Sequence, residues 1–194
     1  MTTGCGVNKL AILVSGSGTN MENLIKECQA GRISAEATVV ISDRPGVAAL
    51  DRAKKLNVPA IVVDRKQFST KEDFENALSR EIDDRKIDWI LLAGFMRILS
   101  PQFVRRFKPS IINIHPSLLP AFPGAHGIRD AFEAKVKETG VTVHFVEEEV
   151  DAGPIILQRK VPIDPKDTLE TLEAKIHAVE YKLYPEALRQ IIGM

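Results

Sequence analysis

The feature that most constrains this chain is a regular alternation. Short runs of apolar, mostly β-branched or leucine residues are each followed by a stretch with helical periodicity. Lys9–Val14 (KLAILV) reads as a buried strand and leads into the turn Ser15-Gly16-Ser17-Gly18. Thr19-x-x-Glu22 reads as a capping box that opens a helix to about Ala30. Ala37–Ser42 is the second predicted strand, Pro45 opens a helix to about Leu56, and Ala60–Val63 is the third strand. Thr70-x-x-Asp73 opens a helix that carries Phe74, Ala77, Leu78 and Ile82 on one face. Trp89–Leu92 is the fourth strand, Ser100-Pro101 places a cap before a first-turn proline, and Ile111–Ile114 is the fifth strand. Strands that are apolar without alternation, separated by helices, belong to a parallel sheet covered on both faces.

After about residue 140 the order changes. VTVHFV (141–146) and Ile155–Val161 have no helix between them, which predicts an antiparallel addition at one edge. The last helix is predicted from the box Asp167-x-x-Glu170. Its stripe is Leu169, Leu172, Ile176, Val179 and Leu183, and Pro185 is expected to kink it. The expected fold is therefore α/β: a Rossmann-like, mostly parallel sheet with helices on both faces and an antiparallel edge near the C-terminus.

A length of 194 residues, 44% of them apolar and 27% charged, supplies a full core and favours one domain, with residues 1–8 as a loose leader. Twenty-six basic residues balance 26 acidic ones, so no excess positive field holds a nucleic acid. Cys5 and Cys28 lack metal or redox spacing, which suits a reducing cytoplasm. No apolar run is long enough to span a membrane.

Ligands of an open parallel sheet bind beyond the carboxyl ends of its strands. Four segments in such positions are chemically unusual. The first, Ser15-Gly16-Ser17-Gly18-Thr19-Asn20, runs into a helix start, where free N–H groups and the helix dipole favour an anion. A dinucleotide fingerprint needs glycine at the position of Met21, and no Gly-Lys-Ser/Thr follows, so a single phosphate fits better than a pyrophosphate. The plain alternative is a tight turn with no ligand.

In the second segment, Asn113 and His115 stand two apart at a strand end and point to the same side. Pro116, Pro120 and Pro123 stiffen the loop beyond, and one of these prolyl bonds is a candidate for the cis form. An amide beside an imidazole suits a developing oxyanion and a proton transfer, although an isolated histidine is more often satisfied by its surroundings. The third segment is Glu147-Glu148-Glu149-Val150-Asp151-Ala152-Gly153-Pro154. Such an acidic run is ordinarily solvated surface. The Asp151-x-Gly-Pro turn nevertheless gives the aspartate a way to face inward, where beside His115 it would favour and orient an imidazolium. The fourth segment, Leu91–Leu99, sets apolar side chains around Arg97, as a wall for a flat heterocycle or as ordinary core with Arg97 at the surface. The histidines 115, 126, 144 and 177 have no i,i+4 pairing, and a metal cluster of His115, His144 and Asp151 is the weaker alternative. On the last helix His177, Glu180 and Tyr184 lie beside the apolar stripe. Glu180 there faces the cleft or, alternatively, forms a solvent-facing ion pair.

With these residues in place the chain closely resembles the phosphoribosylglycinamide formyltransferases, folate-dependent enzymes of de novo purine synthesis. The resemblance runs from about Lys9 to Ile192. It rests on SGSGTN (15–20), LAGFMRILS (92–100), NIHPSLLP (113–120), VTVHFV (141–146), VDAGPII (150–156) and the last helix. It implies transfer of a formyl group from the cosubstrate 10-formyltetrahydrofolate to the amine of glycinamide ribonucleotide, through a tetrahedral intermediate and without a metal. Asn113, His115 and Asp151 are the implied catalytic residues. Gly18, Thr19 and Asn20 would hold the ribonucleotide phosphate, and Glu180 would contact the glycinamide end. Met96, Arg97, Ile98 and Leu99 would line the pterin pocket, with Glu147, Glu148, Glu149, Val150 and Asp151 as its other wall. Lys71 stands where many relatives place a folate-facing arginine, so charge is kept and bidentate recognition lost. The implied partners are small molecules, with no nucleic acid and no membrane, for a cytoplasmic monomer or homodimer. Some relatives carry a longer C-terminal tail, whose role is expected to be missing.

Three other functions compete. In 10-formyltetrahydrofolate hydrolase water replaces the amine, and that family carries an N-terminal regulatory domain for which a first strand near residue 9 is expected to leave no room. Methionyl-tRNA formyltransferase needs a C-terminal domain and a basic path for tRNA. A non-catalytic nucleotide-binding module would keep the glycine loop but gain nothing from Asn113 and His115.

Overall fold

The apolar runs do become strands buried on both faces. In β1 (Asn8–Val14), Leu10, Ile12 and Val14 enter one hydrophobic cluster while Ala11 and Leu13 enter another on the opposite face of the sheet. The structure, a computed structural model, describes residues 6–192. Cys5 and most of the predicted leader lie outside the described residues.

After β1 come α1 (Thr19–Gln29), β2 (Ala35–Ser42), α2 (Ala48–Lys55), β3 (Ala60–Val62), α3 (Lys71–Asp84), β4 (Trp89–Leu92), α4 (Pro101–Phe107) and β5 (Ile111–His115). The chain then forms α5 (Gly127–Glu133), β6 (Glu138–Phe145), β7 (Ile155–Pro162) and α6 (Leu169–Ile192). The strands make one sheet in the order β3-β2-β1-β4-β5-β6-β7. The first five are parallel. β6 and β7 are added antiparallel at one edge, as the loss of an intervening helix predicted. The edge strand β7 exposes Gln158, Arg159 and Lys160, polar residues that discourage pairing with another chain. Helices α1, α2 and α6 pack on one face, and α3 and α4 on the other.

Two predicted caps form as read. Thr70 accepts from the Asp73 N–H at 3.0 Å, and Ser100 accepts from the Phe103 N–H at 3.1 Å, with Pro101 in the first turn. Three others differ. Helix α1 is entered through Gly18 in the left-handed region (φ 72°), so Thr19 is already helical and caps nothing. Glu22 pairs instead with Lys26 at 2.6 Å and with Arg52. Helix α2 begins at Ala48 rather than Pro45, because Gly46 in the left-handed region (φ 71°) keeps residues 44–46 in a turn. At α6 the cap falls on Thr168, which accepts from Thr171 N–H at 3.3 Å, while the Asp167 carboxylate accepts from Lys175 at 2.6 Å.

Helix α6 continues through Pro185. Proline has no N–H, so the Tyr181 carbonyl one turn earlier loses its helical donor. Asn23 of α1 replaces it, its Nδ2 donating to Tyr181 O at 2.7 Å. The hydrogen bond lost at Pro185 is thereby turned into a contact between α1 and α6. Helix α5 was not foreseen.

Candidate active site

From β1 the chain winds outward to β2 and β3, then returns to place β4 on the other side of β1. The carboxyl ends of β1 and β4 therefore part, and the crevice of such a sheet opens there. Two cavities of about 450 and 330 Å³ lie in it, sharing Gly94, Met96, Ile114, Pro116 and Ala125 as common wall.

The larger cavity is lined by the loop Ser15–Asn20 and by α6. Gly18 is required here on two counts. Its backbone is left-handed, and a Cβ would stand 2.5 Å from the Ala49 Cβ of α2. Gly18, Thr19, Asn20 and Glu180 all line this cavity. Glu180 is not a solvent-facing ion pair. It is 4% exposed, and its Oε2 accepts from Asn20 Nδ2 at 2.9 Å and from His177 Nδ1 at 2.8 Å. Tyr184 lies in the core rather than beside the cleft, its hydroxyl shared between the carbonyls of Leu92 and Ile112.

The smaller cavity is lined by Met96, Arg97, Ile98 and Leu99 on one side and by residues 147–151 on the other. Met96 and Ile98 leave 62% and 66% of their surface exposed, an apolar face open to a ligand. The segment that carries them is tied down from three elements. Met96 N–H donates to Ser15 Oγ at 2.8 Å, Arg97 Nε donates to the fully buried Asp43 at 2.6 Å, and Ser100 N–H donates to Glu75 at 2.7 Å. The acidic run is anchored too, with Glu147 on Lys108 at 2.7 Å and Glu148 on Arg105 at 2.6 Å.

Lys71 is the remaining residue expected on the folate side. It begins α3 and lines neither cavity. Its ammonium faces Glu75 one turn along its own helix, at 4.0 Å.

On the wall of the smaller cavity the end of β5 and the loop after β6 converge. Asp151 Oδ2 lies 3.5 Å from His115 Nδ1, and its Oδ1 lies 3.5 Å from Asn113 Nδ2. Asp151 reaches inward because its own backbone is left-handed (φ 55°) and Gly124 N–H donates to Oδ2 at 2.8 Å. Gly153 allows the turn to close, since a Cβ there would meet Phe145 O at 1.8 Å. The Leu119–Pro120 peptide in the loop after β5 is cis.

Tautomers follow from the partners. His115 Nε2 faces Phe122 O at 2.8 Å, and a carbonyl only accepts, so Nε2 carries a proton and Nδ1 is the nitrogen left toward Asp151. His144 Nδ1 donates to Phe145 O at 2.8 Å. Its Nε2 therefore accepts from Asn113 Nδ2 at 3.2 Å, as a neutral ring. Burial, the largest influence on it, pushes the His144 pKa below the usual histidine value. The pairing fixes which way the Asn113 amide points. Its second N–H has only the long contact with Asp151.

A family model described as "Formyl transferase" matches residues 8–188. The chain belongs to the formyl transferase family. Phosphoribosylglycinamide formyltransferase of Haemophilus influenzae is 44% identical over 94% of this chain and 86% of its own length. The Bacillus subtilis protein of that name is 38% identical over 97% and 96%. The crystal structure of glycinamide ribonucleotide transformylase 1 from Geobacillus kaustophilus is 46% identical and superposes with a TM-score of 0.93, covering 96% of this chain and all of that one. A trifunctional purine biosynthetic protein of Gallus gallus is 44% identical over 94% of this chain, which spans 18% of that longer relative.

Several residues of the formyl transferase site were not legible in the sequence. His144 sits opposite Asn113 through the β5–β6 register, and that pairing carried no local signal. His126 and Arg129 reach the larger cavity through the unforeseen α5. Arg44 also lines it, and its place just after β2 was a usable signal. Among the described residues, no three His, Cys, Asp or Glu form a group able to hold a metal ion, and no helix is long and apolar enough to cross a membrane.

Proposed function

We propose that this chain transfers the formyl group of 10-formyltetrahydrofolate to the amine of glycinamide ribonucleotide, in the making of purines. The observation that carries the reading is the meeting of Asn113, His115 and Asp151, each within 3.5 Å of another, on the wall of a two-part cleft. Attack of the amine on the formyl carbon builds negative charge on the formyl oxygen. The weakly engaged second N–H of Asn113 and a proton on His115 Nδ1 are the donors for it. One well-placed donor of this kind lowers a barrier by roughly 3–4 kcal/mol. Asp151 accepts the proton that the amine must lose and passes it on to the folate nitrogen, which leaves as the tetrahedral intermediate collapses.

The ribonucleotide phosphate sits on Gly18, Thr19 and Asn20, where the first amides of α1 favour an anion, and Glu180 takes the glycinamide end. The pterin lies between Met96–Leu99 and residues 147–151. Balanced charge and the free thiol of Cys28 support a cytoplasmic enzyme of small-molecule substrates, acting as a monomer or homodimer.

A spectroscopic assay of folate deformylation, run with and without glycinamide ribonucleotide, tests the reaction. Turnover is expected only with the amine. Equal turnover in water alone would identify a hydrolase, and none in either case a binding module. For the division of the cleft, Gly18→Val is expected to weaken ribonucleotide binding at least about tenfold, because a β-branched residue cannot hold φ 72° beside Ala49. Folate binding is expected to stay unchanged. Calorimetry that found the opposite split would refute the assignment.

A further inference from the structure

The chain Asn20–Glu180–His177 joins the phosphate loop to α6, and one member of it is an imidazole. We propose that His177 is a positioning residue for the ribonucleotide: in its cationic form it orients Glu180, and through it Asn20, and adds positive charge to the phosphate side of the cleft, so that ribonucleotide affinity falls when His177 loses its proton. This rests on the substrate reading above.

Both bonds to Glu180 fall on the same oxygen, Oε2, so Oε1 is left without a protein donor on the wall of the larger cavity. The carboxylate is buried while the His177 side chain is 47% exposed, so proton exchange with solvent is open to the ring but the charge it supports is not diluted by water. The hydrogen bond that His177 donates to Glu180, the largest influence, raises the His177 pKa above the ordinary 6.5, with burial opposing and the charges of Glu180 and Glu173 assisting. Stabilisation of the bound state by this cation is complete below the His177 midpoint of the free protein and is lost as pH rises through that of the complex.

Other groups face the same space. Glu173 is on the same helix, and Tyr181 stacks on the His177 ring at 6.4 Å. Arg44 after β2, His126 before α5 and Arg129 on α5 line the same cavity. A substitution at His177 leaves all of these groups in place, so a comparison of variants isolates the His177 contribution. A neutral His177 can still donate from Nδ1, so titration removes charge alone, whereas truncation removes charge and hydrogen bond together.

Affinity for glycinamide ribonucleotide, measured by calorimetry between about pH 6 and pH 9, separates these effects. The unaltered protein is expected to bind about five- to tenfold more weakly at the alkaline end, the scale of a half-exposed charge-assisted bond. His177→Gln, which keeps a donor without charge, is expected to lose that part of the slope and match the unaltered protein at high pH. His177→Ala is expected to bind more weakly than either at every pH, with folate affinity unchanged in both. A glutamine variant with the full slope, or an alanine variant that binds like the parent, overturns the proposal. If a variant does not fold, the His177 ring resonance of the unaltered protein decides. Its titration midpoint is expected to rise when the ribonucleotide binds, and an unmoved midpoint overturns the proposal. A protein that turns over and binds the ribonucleotide but fails these tests leaves the formyl-transfer reading standing. One that does not bind it at all overturns both.

Discussion

His115→Ala is expected to lower turnover by about a hundredfold or more, the range for losing a positioned proton donor, with the fold retained. The imidazole is 4% exposed, with Nε2 on Phe122 O and Nδ1 toward Asp151. Removing it takes the donor from the carbonyl of the half-buried Phe122, which costs about 1 kcal/mol of stability. That is a loss a domain of this size survives. His115→Asn keeps a short donor in the same place and separates packing from proton transfer. If both variants fold, judged by circular dichroism and urea unfolding, and both are slow, the defect is chemical. Near-normal turnover in folded His115→Ala would remove the residue from the mechanism.

Asp151→Asn is expected to be as damaging. Asparagine tolerates the left-handed backbone that Asp151 adopts, so the loop keeps its shape. The side-chain oxygen can still accept from Gly124 N–H. What disappears is the negative charge between Asn113, His115 and His144, and with it the acceptor for the amine proton. Turnover is expected to fall by about a hundredfold or more. The pH–rate profile is expected to change shape, because a group that exchanges protons is replaced by one that does not. An unaltered rate and profile would show that Asp151 serves only to shape the loop.

Much of the fold was open to reading because the information is local. The apolar strands, the helical stripes and the caps at Thr70 and Ser100 depend on neighbours within a few residues. The misread caps of α1 and α2 have one cause in common. At Gly18 and Gly46 the backbone enters the left-handed region, and a glycine does not announce whether it uses that freedom. How near Lys71 comes to a bound folate depends on how α3 packs, not on its own chemistry.

By itself the sequence determined the doubly covered parallel sheet, the glycine turn after β1 and the pairing of Asn113 with His115 on one side of β5, since period and spacing within a strand dictate which way side chains point. Only the tertiary structure decided that Asp151 turns inward to meet them, that His144 locks the Asn113 amide, and that His177 and Asn20 share one oxygen of Glu180. Apart from the bond between His177 and Glu180, one helical turn apart, those contacts join residues between 31 and 160 positions apart or hang on a left-handed backbone at a single aspartate. They arise from strand register and helix packing, which no local pattern encodes.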